Sequence, residues 1–373
     1  MSVLVQLTDK CQLKCPYCMA SKGKTTLSIL DVELIINFFC ATIDPSRDIT
    51  FIWHGGEPLI MGSEFFTSME TIFQKTGRYR KSIKNVFQTN GLLIDEGYIK
   101  LIHSTNDYFL NISMDGPDEV NLKTRGISSS KYDALFSLLK QNKIPFGVAI
   151  VASNDVLKHK EEVIKYFEER NITNIGLVPY HAYPKNGHND LPRVLYSIKK
   201  YSEIEEHVTI RDEFPPSTAL SDLSFDNNFN PTILGKSLIN GVVSQAFSDH
   251  CQFSSFSDGC HKYVINIASN GEIYPCPRGQ NVNLWNYGNI QSNGLESWHK
   301  TTFGESPFRP SLPQECKPCQ YNKLCNGGCP ANAKSMNGSA LNKDYYCESF
   351  KVLFDKTFDK INLALEEKIS VND

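Results

Sequence analysis

Three cysteines stand within eight residues as Cys11-Gln12-Leu13-Lys14-Cys15-Pro16-Tyr17-Cys18, a CxxxCxxC spacing just after a β-patterned stretch. A [4Fe–4S] cube that is fully held by protein takes four thiolates. A loop offering three leaves one iron without a protein ligand, and an open position on a metal is where substrate chemistry happens, as on a catalytic zinc. A disulfide or a structural zinc is the competing reading, but zinc loops usually supply cysteines as CxxC pairs with partners elsewhere.

A second array closes the chain: Cys316, Cys319, Cys325, Cys329 and Cys347, preceded by Cys260, Gly271 and Cys276 in the order Cx10Gx4C, and by Cys251. Eight thiolates can fully ligate two cubes or hold two zinc ions. Cys40 stands alone on an apolar helical face and reads as a small hydrophobe. Between the arrays lie shorter motifs: Trp53-His54-Gly55-Gly56-Glu57-Pro58, Thr89-Asn90-Gly91, Ser113-Met114-Asp115-Gly116-Pro117 and Arg125. Paired glycines let backbone approach a ligand closely, Glu57 can accept a hydrogen bond from an ammonium group, and an arginine fork suits a carboxylate.

These motifs need elements to position them. Short β-rich runs at 3–7, 49–53, 83–88, 108–113, 146–151 and 174–178 alternate with helical patterns at 27–40, 63–74, 95–103, 131–141 and 158–169, and a sixth helix is expected at 191–205. Six βα units in sequence predict an α/β fold with a parallel barrel or partial barrel, whose site lies at the C-terminal ends of the strands. Each motif falls at such an end. Residues 206–245 are rich in turn residues and read as a bridge, and from about 246 the texture changes to glycine, cysteine and short turns before a helix at 344–367. The expected domains are 1–235 and 236–373.

With 373 residues, 40% hydrophobic and 21% charged, the composition is that of an ordinary globular protein. A net charge of −3 gives no sign of a nucleic-acid or anionic-membrane partner. No basic n-region precedes the first apolar run, and no window has the length of a membrane span. Twelve cysteines in such a chain read as metal ligands in a reducing cytoplasm.

The cysteine loop and the motifs after it resemble the radical SAM enzymes, in which S-adenosylmethionine (SAM) chelates the open iron through its amino and carboxylate groups. Tyr17, just before the third cysteine, fits that family. The C-terminal array is similar to the SPASM domain of radical SAM enzymes that modify peptides and proteins. The resemblance implies a partial (β/α)6 radical SAM barrel followed by a small cysteine-rich SPASM domain with a C-terminal helix. It also implies SAM and three [4Fe–4S] clusters. Cys11, Cys15 and Cys18 would hold the first; Cys251, Cys260, Cys276 and Cys329 an inner auxiliary cluster; Cys316, Cys319, Cys325 and Cys347 an outer one. In the same way Tyr17, Gly55, Gly56, Glu57, Asn90, Ser113, Asp115 and Arg125 are expected at the SAM pocket, with Leu177 able to flank the adenine.

The chemistry so implied is reductive cleavage of the SAM sulfonium, hydrogen abstraction from an unactivated substrate carbon by the 5′-deoxyadenosyl radical, and loss of an electron or bond formation by the substrate. Two branches of the family compete. Anaerobic sulfatase maturases oxidise a cysteine or serine to formylglycine and carry an aspartate right after the third auxiliary cysteine; here Pro277 and Arg278 follow Cys276, although Asp258 is a substitute candidate. Maturases of ribosomally made peptides install side-chain crosslinks, and Phe51 to Leu59 looks like their version of the glycine turn. The expected function is crosslinking of a precursor peptide, with sulfatase maturation as the alternative and a non-catalytic electron carrier as a remote one. An electron donor such as flavodoxin or ferredoxin is the other expected partner. His54, Tyr180 and His181 read as core or packing residues before substrate contacts.

Overall fold

The computed structural model describes residues 1–20, 22–76, 82–105, 107–181, 215–247, 260–302 and 311–370. The expected helix at 191–205, Cys251 and Asp258 lie outside these residues. The described chain forms two compact units, one of residues 1–149 and 260–302, the other of 150–181, 215–247 and 311–370.

The first unit is built on parallel strands β1 (Ser2–Thr8), β2 (Ile49–Gly55), β3 (Ile83–Thr89), β4 (Tyr108–Ser113) and β5 (Phe146–Ala152), paired in chain order. Each lies within two residues of its sequence-based range. Helices α1 (Ile29–Thr42), α2 (Ser63–Lys75), α3 (Glu96–Thr105), α4 (Asp118–Arg125) and α5 (Ser129–Gln141) fill the connections. Their starts are written in the sequence: Ser28 and Asp31 form a reciprocal capping box on α1, and the Ser128 hydroxyl accepts from the Ser130 amide at α5. The short α4 was not expected. It begins behind Pro117 and ends at Gly126, which takes φ 73°, the left-handed conformation a glycine adopts without strain.

On the other side of β1 the sheet continues with β7 (Val264–Ile267), parallel to β1, and then β8 (Glu272–Tyr274) and β9 (Gly288–Asn289) as antiparallel neighbours. Gly271 turns the β7–β8 hairpin at φ 81°, and its amide donates to the Ala268 carbonyl at 2.8 Å.

One face of this sheet is apolar apart from the buried Asn85. Val3, Val5, Phe51, Trp53, Phe87 and Ile112 have no exposed surface. Phe51 stacks on Trp53 with centroids 5.4 Å apart, Phe87 stacks on Tyr108 at 4.9 Å, and Phe66 of α2 meets Phe87 edge-on at 4.7 Å. The Trp53 indole N–H donates to Asn85 Oδ1 at 2.9 Å, so its polar edge is satisfied inside the core. The other face alternates to polar, half-buried positions: His54, Gln88, Asn111 and Ser113. A strand pattern with one dry face and one polar face suits a sheet whose concave side receives a ligand.

The second unit contains the end of β5, its neighbour β6 (Ile175–Pro179), and helices α6 (Asn154–Lys158) and α7 (Lys160–Glu169). It also contains α8 (Ala219–Ser224) and α9 (Lys236–Phe247), two helices in the turn-rich stretch that the sequence marks as a bridge. The six-residue α8 is too short for a periodic signal; Leu220, Leu223, Leu234 and Val242 are buried because they pack within this unit. Ser349 of the C-terminal helix (Cys347–Ser370) fixes α8 by accepting from the Ser221 amide and donating to the Ser217 carbonyl at 2.7 Å. Among the described residues no helix is long and apolar enough to cross a membrane.

Candidate functional site

The parallel strands bring the loops after β1, β2, β3 and β4 to one edge. The loop after β1 is closed at its base: the Asp9 amide donates to the Thr25 carbonyl at 2.9 Å, Thr8 bridges Thr26, and the Leu27 amide donates to the Leu7 carbonyl. Cys11, Cys15 and Cys18 lie inside this closed loop, all half-buried. The Cys18 amide donates to the Cys15 carbonyl at 3.1 Å and the Leu13 amide to Cys11 Sγ at 3.4 Å, so the backbone already turns around the sulfurs. Burial pushes the Cys15 thiol up to about 11 despite the opposing Arg125 charge, and it also raises Cys11. Lys22, which sequence reasoning missed, stands beside these sulfurs: desolvation works to lower its ammonium, but Cys18 and Cys11 outweigh it and raise it. Thiols this reluctant to ionise become good ligands only when a metal displaces their protons.

The glycine turn after β2 braces that loop. The Gly56 amide donates to the Thr8 carbonyl at 2.7 Å and the Glu57 amide to the Lys10 carbonyl at 2.8 Å. A Cβ on Gly55 would come within 2.4 Å of the Thr8 carbonyl oxygen, and one on Gly56 within 2.3 Å of the Lys10 oxygen. The close approach that the two glycines permit is therefore to the cysteine loop itself. Glu57 is 1% exposed, and its carboxylate accepts from the Leu59 amide, the Thr89 hydroxyl at 2.6 Å and the Asn90 amide at 2.8 Å. Burial raises its carboxyl above the ordinary range while those three donors pull it down. Asn90 in turn accepts from Gln12 of the cysteine loop at 3.1 Å. Glu57, Thr89 and Asn90 thus join the ends of β2 and β3 to the loop after β1.

After β4, Ser113 accepts from Gln88 Nε2 at 2.8 Å. Asp115 is fully buried; Arg125 Nη2 donates to its Oδ1 at 3.1 Å and Arg125 Nε lies 2.9 Å from its Oδ2. The Tyr17 hydroxyl donates to that same Oδ2. Three residues expected at the SAM pocket are therefore tied to one another. Leu177, in the second unit, is a buried residue of β6.

In the second unit Cys316, Cys319, Cys325 and Cys347 line one cavity with Tyr321, Gly327, Lys343, Asp344, Phe350, Lys351 and Phe354. Burial, followed by Asp344 and the neighbouring cysteines, pushes the Cys325 thiol up to about 12. Asp344 organises the surrounding chain, accepting from the Cys329 amide at 2.7 Å and the Tyr346 amide at 2.9 Å. Gly328, at φ 73°, passes so close to Asp344 that a Cβ would lie 2.4 Å from its Cβ. Among the described residues no three His, Cys, Asp or Glu side chains are gathered tightly enough for a single metal ion. Four thiols ringing one cavity are the donor set for a cube with one thiolate per iron.

Of the expected inner set, Cys276 caps the short helix Pro277–Asn281 in the first unit, its Sγ accepting from the Gly279 amide at 3.2 Å. Cys260 begins the helix Cys260–Tyr263 of the same unit. Cys329 precedes the helix Pro330–Asn337 in the second. Near Cys276, Gln6 of β1, Asn266 of β7 and Gln280 share their amides, with Gln6 and Asn266 both bonding Gln280 Oε1 at 2.8 and 2.9 Å. No sequence signal singles out this trio, because Gln6 stands 260 residues before Asn266 and meets it only through the β1–β7 pairing.

Residues 5–169 match the Radical SAM superfamily, and residues 260–329 match the iron–sulfur cluster-binding domain SPASM. The chain is a radical SAM enzyme with a C-terminal SPASM domain. It is similar to the cysteine-type anaerobic sulfatase-maturating enzyme of Clostridium perfringens, 28% identical over 98% of both chains. It is also similar to the serine-type enzyme of Klebsiella pneumoniae, 22% identical over 90% of this chain and 83% of that one. Among solved structures, anSMEcpe with bound AdoMet and Cp18Cys peptide superposes with a TM-score of 0.73 at 25% identity, covering 98% of this chain and 99% of that one. Streptococcus suis SuiB bound to its precursor peptide SuiA shares the fold at a TM-score of 0.60 and 18% identity, covering 93% of this chain and 75% of SuiB.

Proposed function

We propose that this enzyme oxidises a cysteine or serine of a peptide or protein substrate in the manner of the anaerobic sulfatase maturases. The observation that carries this reading is similarity to a cysteine-type maturase along 98% of both chains, with the three-cysteine loop and the auxiliary array included. It replaces peptide crosslinking as the first reading. The cofactor domain spans 1–235 and the auxiliary-cluster domain 236–373. Cys11, Cys15 and Cys18 hold a cluster whose open iron meets SAM; Cys316, Cys319, Cys325 and Cys347 hold the outer auxiliary cluster; Cys251, Cys260, Cys276 and Cys329 hold the inner one. When bound, the first cluster and SAM supply a 5′-deoxyadenosyl radical. Ser113, Gln88 and Asn90 line the edge where SAM binds, Leu177 serves as an apolar core residue, and Glu57 acts through the position of the Asn90 amide and the cysteine loop. Flavodoxin or ferredoxin delivers the electron in the cytoplasm.

One observation favours crosslinking as the second reading. Pro277 occupies the first position of a helix capped by Cys276, where the maturases carry an aspartate, so no carboxylate stands there to take a proton from substrate. Mass spectrometry separates the two. Reconstituted enzyme, SAM and dithionite are incubated with a cysteine-containing sulfatase peptide and with any short peptide found encoded beside this gene. A hydrazide-reactive aldehyde on the first supports maturation; a ring-shaped fragment pattern on the second, with the first unchanged, rejects it.

A further inference from the structure

Asp344 touches both auxiliary ligand sets. It lines the cavity ringed by Cys316, Cys319, Cys325 and Cys347. It also bonds the backbone of Cys329, a cysteine of the other expected set, whose amide donates to its Oδ2 at 2.7 Å. Its Oδ1 accepts from the Tyr346 amide at 2.9 Å, and Asn332 Nδ2 donates to both oxygens at 3.3 Å. Both oxygens therefore face N–H groups, which donate and do not accept, and such surroundings hold a carboxyl as its anion. Asp344 is 1% exposed, so salt and water screen this charge little.

The backbone around Asp344 is shaped to it. The Asp344 amide donates to the Gly327 carbonyl, and the Cys347 amide donates to the Asp344 carbonyl, each at 3.2 Å. Gly327 and Gly328, at φ 76° and 73°, carry the chain from Cys325 to Cys329, and a side chain on Gly328 would collide with Asp344. The Cys325-x3-Cys329 turn and Cys347 are thus held to one carboxylate. Two lysines line the same cavity, yet their side chains are 42% exposed and both face Glu348, Lys343 at 3.6 Å and Lys351 at 3.4 Å. Solvent and Glu348 weaken their field at the cavity, whereas the Asp344 charge is buried in its wall.

We infer that Asp344 is a positioning residue shared by the two auxiliary ligand sets, and that its buried charge makes the clusters held there harder to reduce. Net charge around an iron–sulfur cube is one of the levers on its potential. An electron added to the cube meets the carboxylate through a poorly screened interior, which disfavours the reduced state. The inference rests on the reading of these cysteines as cluster ligands.

The test uses the full chain carrying Cys15→Ala, so that the auxiliary clusters alone give a signal, reconstituted anaerobically and titrated with dithionite. Asp344→Asn keeps the shape, removes the charge and turns an amide donor towards the Cys329 or the Tyr346 N–H. Asn332→Ala keeps the charge and removes a donor that faces it. In Asp344→Asn the auxiliary electron-paramagnetic signals should appear at a higher potential, their reduction favoured about tenfold, or 59 mV for a one-electron couple. In Asn332→Ala the same equilibrium should stay within about threefold of the parent or move the other way. Auxiliary iron should pass to a chelator about tenfold faster in Asp344→Asn and about threefold faster in Asn332→Ala. An Asp344→Asn chain that titrates like its parent, or an equal rise in potential in both variants, would overturn the inference. Should Asp344→Asn take up no auxiliary iron, Asn332→Ala decides: loss at the parent's rate overturns the shared seat, and faster loss upholds it. If the parent itself takes up no auxiliary iron, the cluster reading falls first and the inference with it, a result distinct from any variant outcome.

Discussion

At the scale of single residues, the glycine turn shows how a motif can be legible while its role is not. Gly55, Gly56 and Glu57 stand out in the sequence, yet the glycines admit the backbone of Thr8 and Lys10, and Glu57 spends its carboxylate on Leu59, Thr89 and Asn90. Gly56→Ala must push the Lys10 carbonyl from a 2.3 Å approach, so the cysteine loop shifts. The expected result is loss of the N-terminal cluster, seen as a reduced iron content with the auxiliary iron kept. Glu57→Gln replaces an acceptor with an amide donor facing buried donors, at a cost of about 1–3 kcal/mol. Denaturant unfolding measures it, and a midpoint equal to wild type would show that the carboxylate is not the brace. His54 gives a pH signature. Burial lowers its proton affinity, so below an unfolded pKa of about 6.5 the unfolded chain binds more protons, and stability falls as pH falls from there. In His54→Gln the slope of stability between about pH 6.5 and 5 should be shallower.

At the scale of elements, the six strands were readable because each is a short β-rich run and the runs alternate with helical patterns, and the site motifs follow four of them. What the sequence did not disclose is non-local. The run Val264–Ile267 has only four residues and no helix before it of the earlier kind, and only its parallel register with β1 gives it a place in the sheet. The Gln6–Asn266–Gln280 amides meet for the same reason. Lys22 and Gln12 are ordinary polar loop residues until the loop closes on Thr25 and brings them to Cys18 and Asn90. The cavity ringed by Cys316, Cys319, Cys325 and Cys347 makes a prediction for its elements as a group. Cys325→Ala and Cys347→Ala should each lower total iron by up to about one cluster's worth, because each removes one of the four thiols that line the cavity and leaves the seat of a fully ligated cube incomplete. Cys40→Ala, on α1, should change iron content by nothing. Equal iron in all three proteins would dissociate the cavity from cluster binding.

At the scale of the whole molecule, the chain joins a barrel that opens SAM to an array of thiols suited to clusters with no open iron. Division of labour follows. Cys329→Ala is expected to keep SAM cleavage while product formation stops, as the auxiliary thiols would hold a cluster suited to take the substrate's electron and not one that activates SAM; undiminished product would remove the auxiliary array from the reaction. The central claim concerns the three cysteines after β1. Its most direct measurement is the chromatographic yield of 5′-deoxyadenosine when anaerobically reconstituted protein is given SAM and dithionite. A clear 5′-deoxyadenosine peak is expected from the native chain and none from Cys15→Ala. An iron-loaded native chain that yields no such peak, or a Cys15→Ala chain that yields an equal one, would contradict it.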